Sequence, residues 1–467
     1  MGSDIQSVLD DIFFNLKIID YSCLLLWRVM REKISKYIST RFNAVSAIQL
    51  FQLVRYGILF LIGIVLVKAG VAKADIGYYE QFLFLAGAVS FFWINGFIKG
   101  FLSLHNSAKS GIQLFNAFIA LQLFAVLGAG ALAATKDTLF PILLSDHSFS
   151  NVTLLVVYVV LTAPASLVEY ILYLKDKSKE LVGYGIWAYG IQLIAIGMAA
   201  FAQLDVEKLL LILVATGVLR YGYLLWLLAK HGKFQFDSEF LKDCLNRSWP
   251  LIAAALLSGS AQYIDGFIIT SRFSAEEFAI FRYGARELPL ALLLANSFSN
   301  AMVAKVNTEK PQSEVLQEIY QGSKRLIYTL FPMSLVLALL SHQLFKLFFN
   351  PDFAESATIF NIYLLLVVSR LVFPQAVLIG LGHTKLIMRA SFWELMLNVT
   401  LSLLLVRTMG VSGVALATVI AYWFEKLYLS FRLRKDTGIA LQQIVPLGSW
   451  LIGSLILCAV VYVIEWM

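Results

Sequence analysis

Five arginines lie inside segments that otherwise read as membrane spans, namely Arg55, Arg220, Arg282, Arg286 and Arg370. A charged side chain at membrane depth costs at least about 2.5–3.5 kcal/mol, so such residues normally face a protein interior or a water-filled cavity. Arg282 and Arg286 are four residues apart and share one face of a predicted helix. Two stacked guanidinium groups need a nearby anion, and a diphosphate is a suitable bidentate partner. The pattern predicts a protein that handles an anionic ligand inside a bilayer.

Buried acids accompany the arginines. Asp265 and Glu287 are candidate coupling residues, because a carboxylate in a low-dielectric cavity can take up a proton or bind sodium. The alternative is a fixed ion pair of either acid with Arg282 or Arg286. Glu169 and Glu394 are further acids within predicted spans. The interior is therefore expected to be of mixed charge and not uniformly cationic.

The composition of the chain indicates which kind of secondary structure positions these charged residues. The chain has 467 residues, of which 59% are hydrophobic and 14% charged, and its mean hydropathy is +0.77. These values are typical of a polytopic all-α membrane protein. Apolar runs of about 20 residues predict thirteen spans. Their expected limits are 44–68, 76–104, 110–135, 151–174, 180–203, 207–230, 249–271, 276–304, 322–349, 355–381, 385–407, 410–431 and 443–465.

The loops orient the chain. Lys and Arg should be in excess on the cytoplasmic side, and alternate loops carry most of them when residues 28–41 are placed inside. The N-terminus is thus predicted to be cytoplasmic and the C-terminus periplasmic. Most of the formal net charge of +7 then reflects topology and gives no evidence for nucleic-acid binding. The three cysteines lie far apart and show no disulfide or metal pattern, so they are interpreted as packing residues.

An internal repeat at an offset of roughly 200 residues divides the spans into two halves. DIGYYEQF at 75–82 resembles EFAIFRYG at 277–284, and Glu80 is the counterpart of Arg282. Both halves begin inside, so the repeats are parallel. Coincidence among low-complexity apolar helices is the alternative. The predicted domains are a cytoplasmic amphipathic segment at 1–43, an N-lobe at 44–232, a linker at 233–248, a C-lobe at 249–435 and a last span at 436–467.

The order of several short motifs carries a family resemblance. These are KADIGYYEQF, WINGFIKGF, AQYIDGFIITSRFSAEEFAIFRYGARELP, VLIGLGHTK and GVSGVALATVIAYW. With these motifs in this order, the chain resembles the polysaccharide (oligosaccharide-lipid) flippases of the MATE-like exporter superfamily. The resemblance covers about residues 30–435. The resemblance implies two pseudo-symmetric six-helix bundles around a central cavity that alternates its opening. A thirteenth span departs from the family's twelve or fourteen.

The resemblance gives the charged residues their expected roles. Arg282 and Arg286 would bind the diphosphate of a lipid-linked sugar, with pairing to Asp265, Glu287 or another interlobe acid as the alternative. The pseudo-symmetry of the repeat, and not the resemblance, predicts that Glu80 faces Arg282 across the cavity and bridges to it when one gate closes. Arg55 and Arg370 are expected in the cavity.

Arg220 lies closer to the cytoplasmic end of its predicted span, beside Tyr221 and Tyr223. Either a cavity position or snorkelling to the inner leaflet explains it.

The sequence contains no HExxH, GxSxG or P-loop motif, so it predicts a transporter and not an enzyme or ATP-driven pump. The predicted function is alternating-access translocation of polyprenyl-diphosphate-linked oligosaccharide across the bacterial inner membrane. Expected partners are that substrate, membrane lipids and glycan polymerase or ligase machinery. No cofactor is expected apart from coupling to H⁺ or Na⁺. Alternatives are a multidrug or metabolite exporter of the same superfamily, or a non-transporting subunit of a glycan-assembly complex.

Overall fold

The computed structural model describes residues 44–145, 151–286, 289–306 and 312–466. The predicted segment 1–43 and the candidate coupling residue Glu287 lie outside these ranges. Over the described residues the chain is helical, and ten of its helices are long and apolar enough to cross a membrane. They correspond to the predicted spans except the seventh and eighth, and one of them contains both the eleventh and twelfth. The prediction of an all-α polytopic membrane protein is confirmed.

The helices follow one another with short connections. The N-lobe contains α1 (Ala44–Lys68), α2 (Lys73–Leu104), α3 (Ser110–Leu143), α4 (Val152–Ala165), α5 (Leu167–Leu174), α6 (Ser178–Phe201) and α7 (Val206–His231). The C-lobe contains α8 (Ser238–Arg272), α9 (Ala275–Gly284), α10 (Pro289–Val306), α11 (Gln312–Phe348), α12 (Ala354–Leu364), α13 (Leu366–Arg370), α14 (Pro374–Gly380) and α15 (Thr384–Thr437). The last helix is α16 (Leu447–Trp466). Much of the predicted linker belongs to α8, which Asp237 caps by accepting from the backbone N–H of Phe240 at 2.9 Å.

Three spans are broken inside the protein. The fourth is interrupted at Ser166, the eighth between α9 and α10, and the tenth at both ends of α13. Pro289 and Pro374 begin the helices after two of these breaks, where a missing backbone N–H does no harm. Near α13, backbone carbonyl groups accept hydrogen bonds from indole N–H groups instead of from the helix. The indole of Trp423 donates to the Leu365 carbonyl at 3.2 Å, and that of Trp450 donates to the Val368 carbonyl at 3.0 Å. Broken helices are tolerated at membrane depth only where protein or water satisfies the backbone in this way.

The helix α15 folds back on itself at Gly410. Gly410 has φ +58°, in the left-handed region that favours glycine. The amide Nδ2 of Asn398 donates to Thr418 Oγ1 at 2.9 Å, although 20 residues of straight helix would span about 30 Å. The two arms are therefore antiparallel and supply the eleventh and twelfth predicted spans.

The two lobes meet along a seam between α2 of the N-lobe and α8 and α9 of the C-lobe, with close backbone contacts near both ends. At one end, a Cβ on Gly77 would come within 1.9 Å of the Ala275 carbonyl oxygen. Toward the other end, a Cβ on Gly96 would lie 2.4 Å from the backbone of Ile252, and one on Gly100 would lie 2.1 Å from Ser248 Oγ. Only glycine at these positions allows the two backbones to approach so closely.

The last helix packs on α11 and α12 of the C-lobe. Ser449, near its start, hydrogen-bonds to Tyr328 at 3.0 Å. Glu465, near its end, pairs with His342 Nε2 at 3.0 Å and also accepts from Asn361. The thirteenth span is therefore fastened to the C-lobe at both ends.

Candidate functional site

The interlobe cluster consists of Glu80 on α2 and Arg282 and Arg286 on and after α9. Glu80 Oε2 lies 3.4 Å from Arg282 Nε, and Glu80 Oε1 lies 3.4 Å from Arg286 Nη2. The Glu80 side chain is 6% exposed, whereas that of Arg282 is 42% exposed. One buried carboxylate thus holds two guanidinium groups of the opposite lobe, and one of them keeps a large open surface.

Local structure fixes the position of this cluster. A capping box starts α9, in which Ser274 Oγ accepts from Glu277 N–H at 3.2 Å and Glu277 Oε2 accepts from Ser274 N–H at 3.0 Å. Arg286 follows the end of α9, in the break before α10. Its guanidinium lies over the rings of Tyr283, at 5.0 Å, and Phe60, at 5.3 Å. Such cation–π contacts hold a charge in place without consuming its hydrogen-bond donors.

The structure decides between the pairings that the sequence left open. The Glu80–Arg282 pair expected from the repeat is present, and Arg286 joins it. The salt bridges of both arginines within the described chain go to Glu80. Of the alternatives left open, pairing with another interlobe acid is therefore present, and pairing with Asp265 is not.

The expectation that the two arginines share one face of a helix is wrong, because α9 ends at Gly284 and Arg286 lies in the break that follows. The two guanidinium groups are nevertheless near each other, because the Glu80 carboxylate reaches both.

Arg55 forms a second ion pair, inside the N-lobe. Its Nη1 lies 2.9 Å from Glu169 Oε1, and the two side chains are 28% and 11% exposed. Glu169 lies on α5, directly after the break at Ser166. The Arg55 guanidinium also lies 5.5 Å from the centroid of Phe51. The sequence identified both residues but did not predict that they pair.

Arg220 is buried in the N-lobe. It is 7% exposed, its guanidinium lies 5.2 Å from the ring of Tyr189, and its Nη2 donates to the Tyr158 hydroxyl at 3.5 Å. The snorkelling interpretation is therefore wrong. Its contacts come from α4 and α6 and not from the C-lobe, so the structure does not bring it to the interlobe cluster.

Arg370 ends α13 inside the C-lobe, where its guanidinium lies 4.9 Å from the ring of Tyr422. Neighbouring charges come from the second arm of α15. Lys426 Nζ lies 2.7 Å from Glu425 Oε2 and 3.0 Å from Gln375 Oε1. The ring contact of Arg370 thus lies within its own lobe.

Asp265 lies at the centre of a buried hydroxyl cluster in the C-lobe. It is 3% exposed, and its Oδ2 accepts from Thr418 Oγ1 and, at 2.9 Å, from the Tyr363 hydroxyl. Asn398 extends the cluster through Thr418, and Ser402 donates to Asn398 Oδ1 at 3.3 Å. Oδ1 of Asp265 is buried without a hydrogen-bond partner among the described residues. A carboxylate surrounded by oxygen atoms has the ligand chemistry that hard monovalent cations use.

Sequence reasoning missed the partners of Asp265. The signal was present, because Glu394, Asn398 and Ser402 recur at intervals of four residues and form one polar stripe on an otherwise apolar helix. Tyr363 and Thr418 gave no such signal, since isolated hydroxyl residues are common in membrane helices.

Known proteins are similar to this chain in sequence and in architecture. A protein-family profile described as lipid II flippase MurJ matches residues 149–467, more than half of the chain. A solved lipid II flippase MurJ in an inward closed conformation is similar, with a TM-score of 0.60, 16% identity and coverage of 89% of this chain and 92% of that one. No curated protein matches.

Two further solved structures share the fold. An inward-facing MATE multidrug transporter has a TM-score of 0.59 and 14% identity, and covers 85% of this chain and 100% of its own. A MOP-superfamily transporter from Pyrococcus furiosus has a TM-score of 0.53 and 14% identity, with 86% and 95% covered. At such identities the likeness shows the fold alone.

Proposed function

The chain belongs to the MurJ lipid II flippase family, and on that premise we propose that it translocates a lipid-linked saccharide diphosphate across the bacterial inner membrane. The observation that carries this proposal is the interlobe cluster, in which two arginines are held at a closed seam by one buried carboxylate. Membership of a flippase family agrees with the expectation of a transporter and not an enzyme.

The substrate class is narrowed by the family. The motif order favours an oligosaccharide-lipid of the O-antigen, capsule or exopolysaccharide type, whereas the family profile is that of lipid II flippases. We take the lipid II class as the substrate, because the profile covers more than half of the chain and the motifs are short. Both substrates present a diphosphate to Arg282 and Arg286, so the arginines do not separate them.

The proposed mechanism is an exchange of anions at the arginines. While the seam is closed, the Glu80 carboxylate forms ion pairs with both guanidinium groups. If α2 and α9 separate, Glu80 moves away with the N-lobe, and the two arginines are left on the C-lobe four residues apart. A diphosphate can then replace the carboxylate with bidentate contacts. Release of the diphosphate follows when Glu80 returns to the arginines and displaces it.

Reconstituted translocation tests this function. We expect purified protein in liposomes to move fluorescent lipid II between leaflets, with an oligosaccharide-diphosphate lipid of the O-antigen type moved more slowly. Preference for the O-antigen lipid would contradict the substrate class. Transport of a small cationic drug with neither lipid moved would contradict the flippase assignment and favour a multidrug exporter.

Cation coupling is proposed at Asp265. Its Oδ1, which has no hydrogen-bond partner among the described residues, together with the neighbouring Thr418 and Tyr363 hydroxyl oxygens, would hold Na⁺ or a proton within the C-lobe. We expect Asp265→Asn to abolish the sodium or pH-gradient dependence of translocation, because the neutral amide removes the charge that binds the cation. Translocation rates measured with and without each gradient check this. Unchanged gradient dependence in Asp265→Asn would exclude Asp265 as the coupling site.

The orientation is part of the proposal. With the N-terminal side in the cytoplasm, Glu80 lies near the periplasmic end of α2, and Arg55 lies near the middle of α1. The C-terminus after α16 is then periplasmic.

A further inference from the structure

The connection between α7 and α8 is fixed against the start of α3. The backbone N–H of Lys233 donates to the Gly111 carbonyl at 3.0 Å. Asn116 is fully buried, its Nδ2 donates to the Gln235 carbonyl at 2.9 Å, and its Oδ1 accepts from the backbone N–H of Asp237 at 3.0 Å. These hydrogen bonds hold the backbone of the connection along the first two turns of α3.

Large aromatic side chains are exposed at this end of α3 and α7. Phe234 and Phe236, in the connection, are 72% and 60% exposed, and Trp226, in the last two turns of α7, is 50% exposed. The Phe234 ring packs on Phe115 of α3, with 5.1 Å between the ring centroids. Both helices are long and apolar enough to cross a membrane. Exposed aromatic rings where such helices end are typical of the membrane–water interface.

Three exposed lysines border these rings. Lys230 Nζ lies 4.8 Å from the centroid of the Trp226 ring. The Cγ atom of Lys233 would lie 3.1 Å from a Cβ on Gly111. Lys109 precedes that glycine by two residues and ends the short turn before α3. The three lysines thus lie at one end of the N-lobe, beside the exposed rings.

No acidic residue stands beside these lysines in the sequence. The two segments that meet here, 105–116 and 226–236, contain neither Asp nor Glu. The next acid along the chain is Asp237, whose Oδ1 accepts from the backbone N–H of Phe240 at 2.9 Å and caps α8. Topology accounts for lysines on the cytoplasmic side, but it does not account for large rings exposed beside them. The combination fits an occupant that is both apolar and anionic.

We propose that this surface binds an anionic phospholipid in the leaflet that the proposed orientation makes cytoplasmic. The headgroup surface consists of Lys109, Lys230, Lys233, Phe234, Phe236 and Trp226. Its rings insert at the boundary between headgroups and acyl chains, and its ammonium groups bind the phosphodiester. The occupant is a lipid and not a protein, because Trp226 belongs to one spanning helix and Phe234 packs on another.

Native mass spectrometry tests the headgroup surface, with purified full-length protein titrated with phosphatidylglycerol or phosphatidylcholine in detergent. We expect one phosphatidylglycerol to bind with a Kd about 100-fold below that of phosphatidylcholine, at about fivefold for each of three lysines. Lys230→Gln combined with Lys233→Gln should weaken phosphatidylglycerol binding about 25-fold and leave phosphatidylcholine binding unchanged.

The matched control removes two exposed bases of α11 on the same predicted side of the membrane, by Lys324→Gln combined with Arg325→Gln. It should bind phosphatidylglycerol as the wild type does. Equal weakening in the control overturns the proposal, because binding would then follow total charge. An unchanged Kd in the Lys230 and Lys233 variant overturns it as well.

The depth of the surface separates a lipid from a protein occupant. A fluorescent bimane label on Phe236→Cys is measured in phosphatidylglycerol nanodiscs, after subtraction of the signal from wild type treated with the same reagent. We expect stronger quenching by a doxyl-labelled lipid than by iodide in the water phase. Stronger quenching by iodide overturns the lipid proposal and favours a cytoplasmic protein as the occupant.

Discussion

Replacing Arg282 and Arg286 together by alanine is expected to reduce translocation of the lipid-linked diphosphate at least about 100-fold. Hydrogen bonds to charged groups contribute about 1.5–3 kcal/mol each, so losing two costs about 3–6 kcal/mol of substrate binding. The measurement is the initial translocation rate in liposomes at matched protein density. Full transport by the double variant would exclude these arginines as the diphosphate site.

A control is needed because the same change leaves Glu80 buried without its partners. Removing one side of a buried ion pair destabilises a protein strongly. Adding Glu80→Gln to the double variant removes the unpaired charge and should restore the melting temperature but not transport. Lysines at both positions keep the charges and lose the bidentate geometry, so they should recover only part of the rate. If the triple variant recovers transport, the cluster is a structural contact alone.

Replacing Arg55 by alanine is expected to lower the free energy of unfolding by about 3 kcal/mol, because it leaves Glu169 charged and unpaired inside the N-lobe. The effect falls at the low end of the range for buried pairs since Arg55 is 28% exposed. Thermal unfolding of the purified variant in detergent measures it. An unchanged melting temperature would show that the pair does not stabilise the lobe.

The double variant Arg55→Ala, Glu169→Gln separates stability from transport. It should regain most of the lost stability, because the neutral amide needs no counter-charge. Transport that stays low in the stable double variant would place Arg55 on the substrate path, as the sequence predicted. Transport that recovers with stability would make the pair a clamp between α1 and α5.

Sequence reasoning was most successful where periodicity and repetition carry the information. Apolar runs predicted the helices closely, because every backbone polar group in a membrane must be bonded within its own segment. The repeat predicted that Glu80 and Arg282 would meet, since equivalent positions in two parallel lobes lie at equivalent depth. The motifs predicted the superfamily correctly. The family profile indicates lipid II flippases where the motifs indicated polysaccharide flippases.

The sequence did not predict which side chains pair with the buried charged residues. The sequence left open whether Asp265 pairs with an arginine or serves as a coupling residue, and it did not predict that Asp265 accepts hydrogen bonds from hydroxyl groups of α12 and of the second arm of α15. Arg220 was expected in the cavity or at the surface and instead lies between α4 and α6 against tyrosines. Its donor groups face a hydroxyl 62 residues away in the chain, a separation that no local pattern encodes.

The sequence by itself determined that this protein crosses a membrane many times and that charged groups lie inside it, and it predicted an internal repeat. Those properties follow from composition and from spacing along single helices. Only the tertiary structure decided which acid neutralises which arginine, that three spans break near the charges, and that the lobes touch through Gly77, Gly96 and Gly100. The physical reason is that a charge in a low-dielectric interior pairs with an opposite charge that lies close to it in space. Helix packing sets that distance, whatever the separation of the two residues along the chain.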